Sequence, residues 1–135
     1  MIMNDLQKTK IFLVDEDIFQ LHLLKQILIS KGYNDICIYE NVDECLLWMY
    51  IKPSVIFLDF QLGYSRGLEL INKIKRYYSD IKVVIMIESE TQKESIDPDY
   101  YGIYDFILKN SNQSGQIENI MKNIYEIKSK TQTSK

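Results

Sequence analysis

The sequence predicts an α/β fold in which a doubly wound, five-stranded parallel sheet carries helices on both faces. Five short apolar runs alternate along the chain with longer segments whose apolar residues recur at helical spacing. The runs are apolar at nearly every position, as expected of strands that are covered on both faces. Strands that alternate with helices pair in parallel through right-handed crossovers, so the pattern indicates a layered sheet rather than a helical bundle.

The size and composition of the chain indicate one globular domain. It has 135 residues, of which 46% are hydrophobic and 26% charged, and a net charge of −3. We expect the domain to span residues 1–128 and a polar tail to follow at 129–135. An acidic domain argues against direct nucleic-acid binding. No apolar run is long enough to span a membrane, and the start lacks a signal-peptide core, which predicts a cytoplasmic protein.

Each predicted strand and helix has its own sequence signal. The predicted strands are Ile11–Val14, Ile36–Tyr39, Val55–Leu58, Val83–Ile87 and Phe106–Leu108. The predicted helices are Ile18–Ile29, Val42–Ile51, Leu68–Tyr77 and Ile117–Ile127. The region 89–101 is the least regular, because Pro98 would break a long helix there.

Capping signals mark where the first two helices begin. Asp17 with Gln20, and Asn41 with Glu44, each pair an N-capping residue with a polar partner three positions later. The pairs predict that helices begin directly after Asp17 and directly after Asn41.

Charged residues follow three of the predicted strands. Asp15 and Glu16 come after the first strand, Asp59 ends the third, and Lys109 follows the fifth. The carboxyl ends of parallel strands meet at one edge of the sheet, where ligands of such folds bind. Carboxylates gathered there repel one another, and a hard cation such as Mg²⁺ would relieve the repulsion. An aspartate at such a site can act as a nucleophile toward phosphorus.

Four segments together resemble the receiver domain of two-component signalling, in the single-domain form found in chemotaxis. The resemblance extends from about residue 10 to 128, and its specificity comes from the order and spacing of the segments. The segments are Ile11–Asp17, Val55–Asp59, Gly67–Leu70 and Gly102–Lys109. The resemblance implies that the predicted sheet is flavodoxin-like.

The resemblance also implies a role for each residue at the strand ends. Asp59 would be the phosphoacceptor, receiving a phosphoryl group from a histidine kinase or phosphotransfer protein. Asp15, Glu16 and Asp59 would bind Mg²⁺ together with the backbone carbonyl of Gln61. Lys109 would bind the phosphoryl group.

The sequence departs from the family at the residues that link phosphorylation to a conformational switch. Phe106 occupies the place of the rotating aromatic residue, although it also suits the core. The serine or threonine that normally ends the fourth strand is replaced by Ile87. Ser89 could serve instead only if the strand runs longer or bulges. Asn110 replaces the proline after the lysine, and a trans peptide bond is expected there.

These observations favour a phosphoacceptor signalling module over three other functions. Its output would pass through a downstream partner protein or a homodimer. The main alternative is a pseudo-receiver that binds partners without phosphorylation, as the missing hydroxyl at Ile87 suggests. A flavin or nucleotide site is disfavoured because Asp15, Glu16 and Asp17 would repel phosphate. Nothing indicates a conventional enzyme, beyond self-catalysed phosphoryl transfer and dephosphorylation.

Overall fold

The five predicted strands form one parallel sheet in the computed structural model, which describes residues 8–61 and 66–133. The strands are β1 (Lys10–Val14), β2 (Asp35–Tyr39), β3 (Val55–Asp59), β4 (Lys82–Ile87) and β5 (Ile103–Leu108). Their order across the sheet is β2-β1-β3-β4-β5. The chain starts near the centre, moves to one edge and then returns to build the other edge. The predicted doubly wound architecture is therefore confirmed.

Six helices connect or follow the strands in the described part of the chain. They are α1 (Ile18–Ser30), α2 (Val42–Leu47), α3 (Arg66–Tyr77), α4 (Glu90–Glu94), α5 (Pro98–Tyr101) and α6 (Gln113–Thr133). Because α6 continues to Thr133, most of the segment predicted as a polar tail is helical, while 134–135 lie outside the described residues. Among these helices, none has the length and apolar character needed to cross a membrane.

The sheet separates two apolar cores. Successive residues of a strand point to opposite faces, so Phe12 and Val14 enter one core while Ile11 and Leu13 enter the other. Helices α2 and α3 contribute buried residues to the first core, and α1 and α6 contribute to the second. Each large side chain removed from water contributes about 1.5–3 kcal/mol. The two buried faces of the central strands β1, β3 and β4 explain why their predicted runs lack polar residues.

The predicted N-caps are present, although only half of the first capping pair forms. The side chain of Asp17 accepts hydrogen bonds from the backbone N–H groups of Phe19 and Gln20. The side chain of Gln20, however, donates to Gln113 instead of returning to Asp17. The backbone N–H of Asp17 is already bound by a carboxylate oxygen of Asp15, at 2.9 Å. The predicted bond between the N–H of Asp17 and the side chain of Gln20 is therefore replaced by the bond to Asp15.

Helix α2 is shorter than the sequence predicts. Asn41 caps it through a 2.8 Å hydrogen bond from the N–H of Glu44. The helix ends at Leu47, and a 3₁₀ turn occupies Met49–Ile51. Lys52 then takes a left-handed conformation, with φ of 59°, which reverses the chain toward β3. The apolar periodicity continued across the 3₁₀ turn, so it did not reveal the break.

The region that Pro98 interrupts contains two short helices, α4 and α5. Ser89 caps α4, and Asp97 caps α5 with Pro98 in its first turn. Proline suits the first turn of a helix, because the N–H that it lacks has no partner within the helix. Pro98 therefore starts a helix here.

The strand register aligns the carboxyl ends of β3, β4 and β5. Asp59 pairs with Met86, and Ile87 pairs with Leu108. A register shift occurs between Val83 and Val84 at the beginning of the β4–β5 pair, far from the carboxyl end. Residues at or just after these ends consequently lie along one edge of the sheet.

Candidate functional site

Two aspartates and a lysine meet at the carboxyl edge of the sheet. The ammonium Nζ of Lys109 lies 2.6 Å from Oδ1 of Asp59 and 2.8 Å from Oδ2 of Asp15. Asp15 follows β1, Asp59 ends β3 and Lys109 follows β5, so three strands position the cluster. Asp15 is only 2% exposed and Asp59 only 7%. The structure thus brings together three of the predicted site residues.

The backbone holds Asp15 in place from both sides. Its N–H donates to the carbonyl oxygen of Tyr39 at 3.1 Å, which extends the β1–β2 ladder by one bond. Its Oδ1 accepts the N–H of Asp17, as described above. Its buried Oδ2, by contrast, has no donor other than the Lys109 ammonium within residues 8–61 and 66–133. One carboxylate oxygen therefore retains capacity for a further ligand.

The cluster contains more negative than positive charge. Burial raises the pKa of Asp15, and its pairing with Lys109 offsets this only in part. Burial also acts to lower the pKa of Lys109, but its contacts with Asp15 and Asp59 outweigh burial and raise that pKa. Two carboxylates therefore share one firmly protonated ammonium, which leaves a net charge of −1 when both are ionised.

The two carboxylates that the structure brings together, those of Asp15 and Asp59, suit a divalent cation. Buried carboxylate oxygens with a charge deficit are the ligands that Mg²⁺ prefers. Glu16 and Gln61, however, are exposed. Within the described residues, no three His, Cys, Asp or Glu side chains are grouped to hold a metal. The roles of Glu16 and of the Gln61 carbonyl therefore remain predictions.

Ile87, which stands where the sequence resemblance implies a hydroxyl, has an apolar side chain in the first core. It ends β4 and is 2% exposed. Its carbonyl oxygen accepts the N–H of Lys109 at 2.8 Å, which places it beside the cluster. Ser89 lies beyond the strand and caps α4, its hydroxyl accepting the N–H of Gln92 at 3.4 Å. In this arrangement the Ser89 hydroxyl caps the N-terminus of α4.

Phe106 lies on β5, half-buried against the first core. The ammonium of Lys93 is 5.5 Å from the centre of its ring, within cation–π range. Its role as a switch residue remains a prediction. Asn110 follows Lys109, and the described chain contains no cis peptide bond, so the expected trans link is present.

The side-chain contacts of three glutamines were not predicted from the sequence. Gln20 is buried, and its Nε2 donates to Oε1 of Gln113 at 2.6 Å, joining the first turns of α1 and α6. Gln116 bonds to the backbone of Leu108, next to Lys109. The available signal was the amide side chain of Gln116 immediately before the apolar stripe that begins at Ile117.

Comparison with known proteins identifies the family of the chain. A family model described as the response regulator receiver domain matches residues 11–122. The chemotaxis protein CheY of Thermotoga maritima is 24% identical over 114 residues, covering 84% of this chain and 95% of that protein. A protein-glutamate methylesterase/protein-glutamine glutaminase of Pyrococcus horikoshii is 27% identical over 108 residues, covering 78% of this chain. The matched region is only 29% of that longer protein.

Solved structures have the same fold. A CheY-like receiver domain protein from Methanospirillum hungatei JF-1 superposes with a TM-score of 0.74 at 24% identity, covering 90% of this chain and 98% of that one. TrrA from Thermotoga maritima, solved in complex with Mg²⁺-BeF, gives 0.73 at 22% identity, with coverages of 86% and 98%. The sheet is therefore of the flavodoxin-like type that the sequence resemblance implied. Together with the family model, which matches most of its length, these findings show that the chain belongs to the response regulator receiver domain family.

Proposed function

We propose that this receiver domain accepts a phosphoryl group on Asp59 and signals through protein contacts. The donor would be a histidine kinase or phosphotransfer protein, and the output a downstream partner or a homodimer. The observation that carries the proposal is the buried carboxylate of Asp59, 2.6 Å from the Lys109 ammonium at the carboxyl edge of the sheet. Similarity to CheY over 84% of this chain and 95% of that protein supports it.

The proposed reaction is a phosphoryl transfer to a carboxylate. An oxygen of Asp59 forms a bond to phosphorus while the bond from phosphorus to the donor breaks, and the donor keeps the bonding electron pair. The product is an acyl phosphate on Asp59. Catalysis of such a step depends on alignment and on charge neutralisation. Lys109 already contacts the attacking carboxylate and would balance charge on the phosphoryl oxygens.

Mg²⁺ is the proposed cofactor, with Asp15 and Asp59 as its carboxylate ligands. The excess negative charge of the cluster supports this assignment, as does Oδ2 of Asp15, whose only donor among the described residues is the Lys109 ammonium. Glu16 and the backbone carbonyl of Gln61 are proposed as further ligands, directly or through water. The cation would neutralise charge on the incoming phosphoryl group.

A second candidate function is that of a pseudo-receiver which binds partners without phosphorylation. The specific observation in its favour is Ile87, a buried side chain without a hydroxyl beside the cluster. Against it stands the intact arrangement of Asp15, Asp59 and Lys109. Phosphoryl uptake distinguishes the two functions directly.

Incubation with acetyl phosphate and Mg²⁺, followed by intact-mass measurement, tests the proposal. The protein should gain one phosphoryl group, and Asp59→Asn should abolish the gain because a neutral amide cannot replace the nucleophilic carboxylate. Asp80→Asn, at an exposed aspartate outside the cluster, is the matched control and should react normally. An unchanged mass in the wild-type protein would favour the pseudo-receiver.

Thermal melting with and without Mg²⁺ tests the cofactor. A ligand that binds only the folded state stabilises it by about 2.7 kcal/mol at a hundredfold excess over its dissociation constant. The melting temperature should therefore rise with Mg²⁺, and the rise should shrink in Glu16→Ala. Glu40→Ala removes an exposed glutamate that follows β2 and should leave the rise intact. No response in the wild-type protein would contradict the metal assignment.

A further inference from the structure

The side chain of Gln116 makes two hydrogen bonds to one residue of β5. Its Oε1 accepts the backbone N–H of Leu108 at 2.9 Å, and its Nε2 donates to the carbonyl oxygen of Leu108 at 3.0 Å. The same Nε2 also lies 3.3 Å from the carbonyl oxygen of Asn112, at the start of α6. A single amide thus connects the last residue of β5 to the first turn of the final helix.

The bonded groups of Leu108 lie at the open edge of the sheet. β5 is the last strand in the sheet order, and the next residue, Lys109, directs its N–H toward Ile87 of β4. Backbone groups of successive strand residues point to alternate sides, so those of Leu108 face away from β4, where no strand follows. A primary amide presents an N–H donor and a carbonyl acceptor side by side, as a neighbouring strand would. Gln116 therefore occupies the place of a missing strand at this one rung.

Two other hydrogen bonds at the turn after β5 are long. The side-chain nitrogen of Asn110 lies 3.4 Å from the carbonyl oxygen of Glu88. The backbone nitrogen of Ser111 lies 3.4 Å from the carbonyl oxygen of Leu108. Both are long for hydrogen bonds between nitrogen and oxygen. Among the hydrogen bonds to the backbone at this end of β5, those of Gln116 and the 2.8 Å bond from Lys109 to Ile87 are shorter.

We propose that Gln116 is a positioning residue that holds the end of β5 and, through it, the Lys109 ammonium between Asp15 and Asp59. The inference rests on the proposed phosphoacceptor function only for its effect on phosphoryl transfer. Reacting groups must be held to within fractions of an ångström, so a shift of the residue before Lys109 would reach the transfer step.

Hydrogen exchange in the unphosphorylated protein tests the placement itself. Gln116→Met keeps the side-chain length but removes both bonds, and the amides of Leu108 and Lys109 should exchange faster, roughly two- to tenfold, the effect of one neutral hydrogen bond. Gln113→Met is the matched control, because it removes a hydrogen bond from the same helical turn without touching β5. Unchanged exchange at Lys109 in Gln116→Met would overturn the positioning role.

Phosphorylation kinetics tests the consequence. Gln116→Met should lower the maximal rate of uptake from acetyl phosphate roughly two- to tenfold with little change in the half-saturating concentration, and Gln113→Met should not. In a Lys109→Met background, Gln116→Met should have no further effect, because Gln116 acts through Lys109. An equal effect in both backgrounds would overturn the proposal.

Two further outcomes separate the possible failures. If the wild-type protein takes up no phosphoryl group, the proposed function fails while hydrogen exchange still decides the role of Gln116. If Gln116→Met does not fold, Gln116→Glu replaces it, since a carboxylate accepts the Leu108 N–H but cannot donate to the Leu108 carbonyl. Normal uptake by Gln116→Glu would then overturn the proposal.

Discussion

The five strand ends at the carboxyl edge fall into two kinds. β1, β3 and β5 lead into Asp15, Asp59 and Lys109, which are charged and largely buried. β2 and β4 end in the buried neutral side chains Tyr39 and Ile87. The glutamates that follow β2 and β4 are exposed. Charge is therefore buried at this edge only where an opposite charge lies within 3 Å.

The difference shows what each kind of strand end requires. A buried charge is tolerated when a partner offsets its loss of hydration, and removal of one partner leaves the others uncompensated. A buried neutral group needs only packing and hydrogen bonds. The charged ends should therefore be sensitive to single substitutions. Of the two neutral ends, only Tyr39 carries a group that can ionise, and burial raises its pKa.

Lys109→Met should have the largest effect on stability. It leaves two neighbouring carboxylates without their ammonium, and loss of one partner from a buried ion pair costs about 3–5 kcal/mol. Urea denaturation with a chelator present measures the change in the free energy of unfolding. Lys31→Met breaks a 3.6 Å pair with Glu118, whose side chain is 70% exposed, and should cost no more than about 1 kcal/mol.

Neutralising one carboxylate of the cluster should instead increase the stability of the protein. Asp15→Asn removes a group whose pKa is raised by burial, so the folded state no longer holds a poorly compensated charge at neutral pH. Its melting temperature in chelator should exceed that of the wild-type protein. A fall in both Asp15→Asn and Lys109→Met would mean that the cluster is balanced, contrary to the excess of negative charge described above.

Ile87→Thr should strengthen the conformational response of the end of β4 to phosphorylation. A new hydroxyl could donate to the phosphoryl group, and a hydrogen bond to a charged group contributes about 1.5–3 kcal/mol, roughly a ten- to hundredfold change in population. The chemical-shift changes that beryllofluoride and Mg²⁺ induce should therefore grow in Ile87→Thr. Ile87→Val provides the matched side chain without a hydroxyl.

Ser89→Ala completes this comparison. Because the Ser89 hydroxyl caps α4, its removal should leave the beryllofluoride response largely unchanged. A weaker response in Ser89→Ala would show that Ser89 supplies the working hydroxyl and that the role assigned to the Ile87 position is wrong.

Alkaline pH should destabilise the protein through the buried Cys45 thiol of α2. The expected change in the free energy of unfolding per pH unit is smaller than the effect of Lys109→Met. Burial raises the pKa of the Cys45 thiol from 9.0 to about 12. Above pH 9 the unfolded state loses this proton while the folded state keeps it, so stability falls with rising pH by about 1.4 kcal/mol per unit until about pH 12. The slope measured by denaturation between pH 9 and 11 should be shallower in Cys45→Ala. Equal slopes would contradict the burial of the thiol.

Much of the fold could be predicted because its signals are local. Apolar runs gave the five strands, and Asp17 and Asn41 marked the starts of two helices. The cluster of Asp15, Asp59 and Lys109 followed from the rule that parallel strands end at one edge. The family resemblance then supplied the expected chemistry.

The remaining features depend on contacts between residues distant in sequence. Gln20 meets Gln113 across 93 positions, and no local pattern indicates that an amide, rather than an apolar side chain, joins α1 to α6. Gln116 binds a strand end whose open side is defined only by the order of the whole sheet. The two short helices around Pro98 were missed for another reason: Ser89 and Asp97 are adequate caps, but neither is followed by an apolar stripe.

The pairing of β1 with β3 has a consequence for how such a domain can diversify. Val14 is opposite Leu58, so the two aspartates that follow these residues are set side by side by the same alignment that fills both cores. If β1 slipped by one residue against β3, each of its side chains would move to the opposite core. The same slip would separate the carboxylates of Asp15 and Asp59. Selection for a packed interior therefore also preserves the spacing of Asp15 and Asp59. Surface segments between the strands can change, and with them the choice of partner, while the spacing of the reactive groups stays constant.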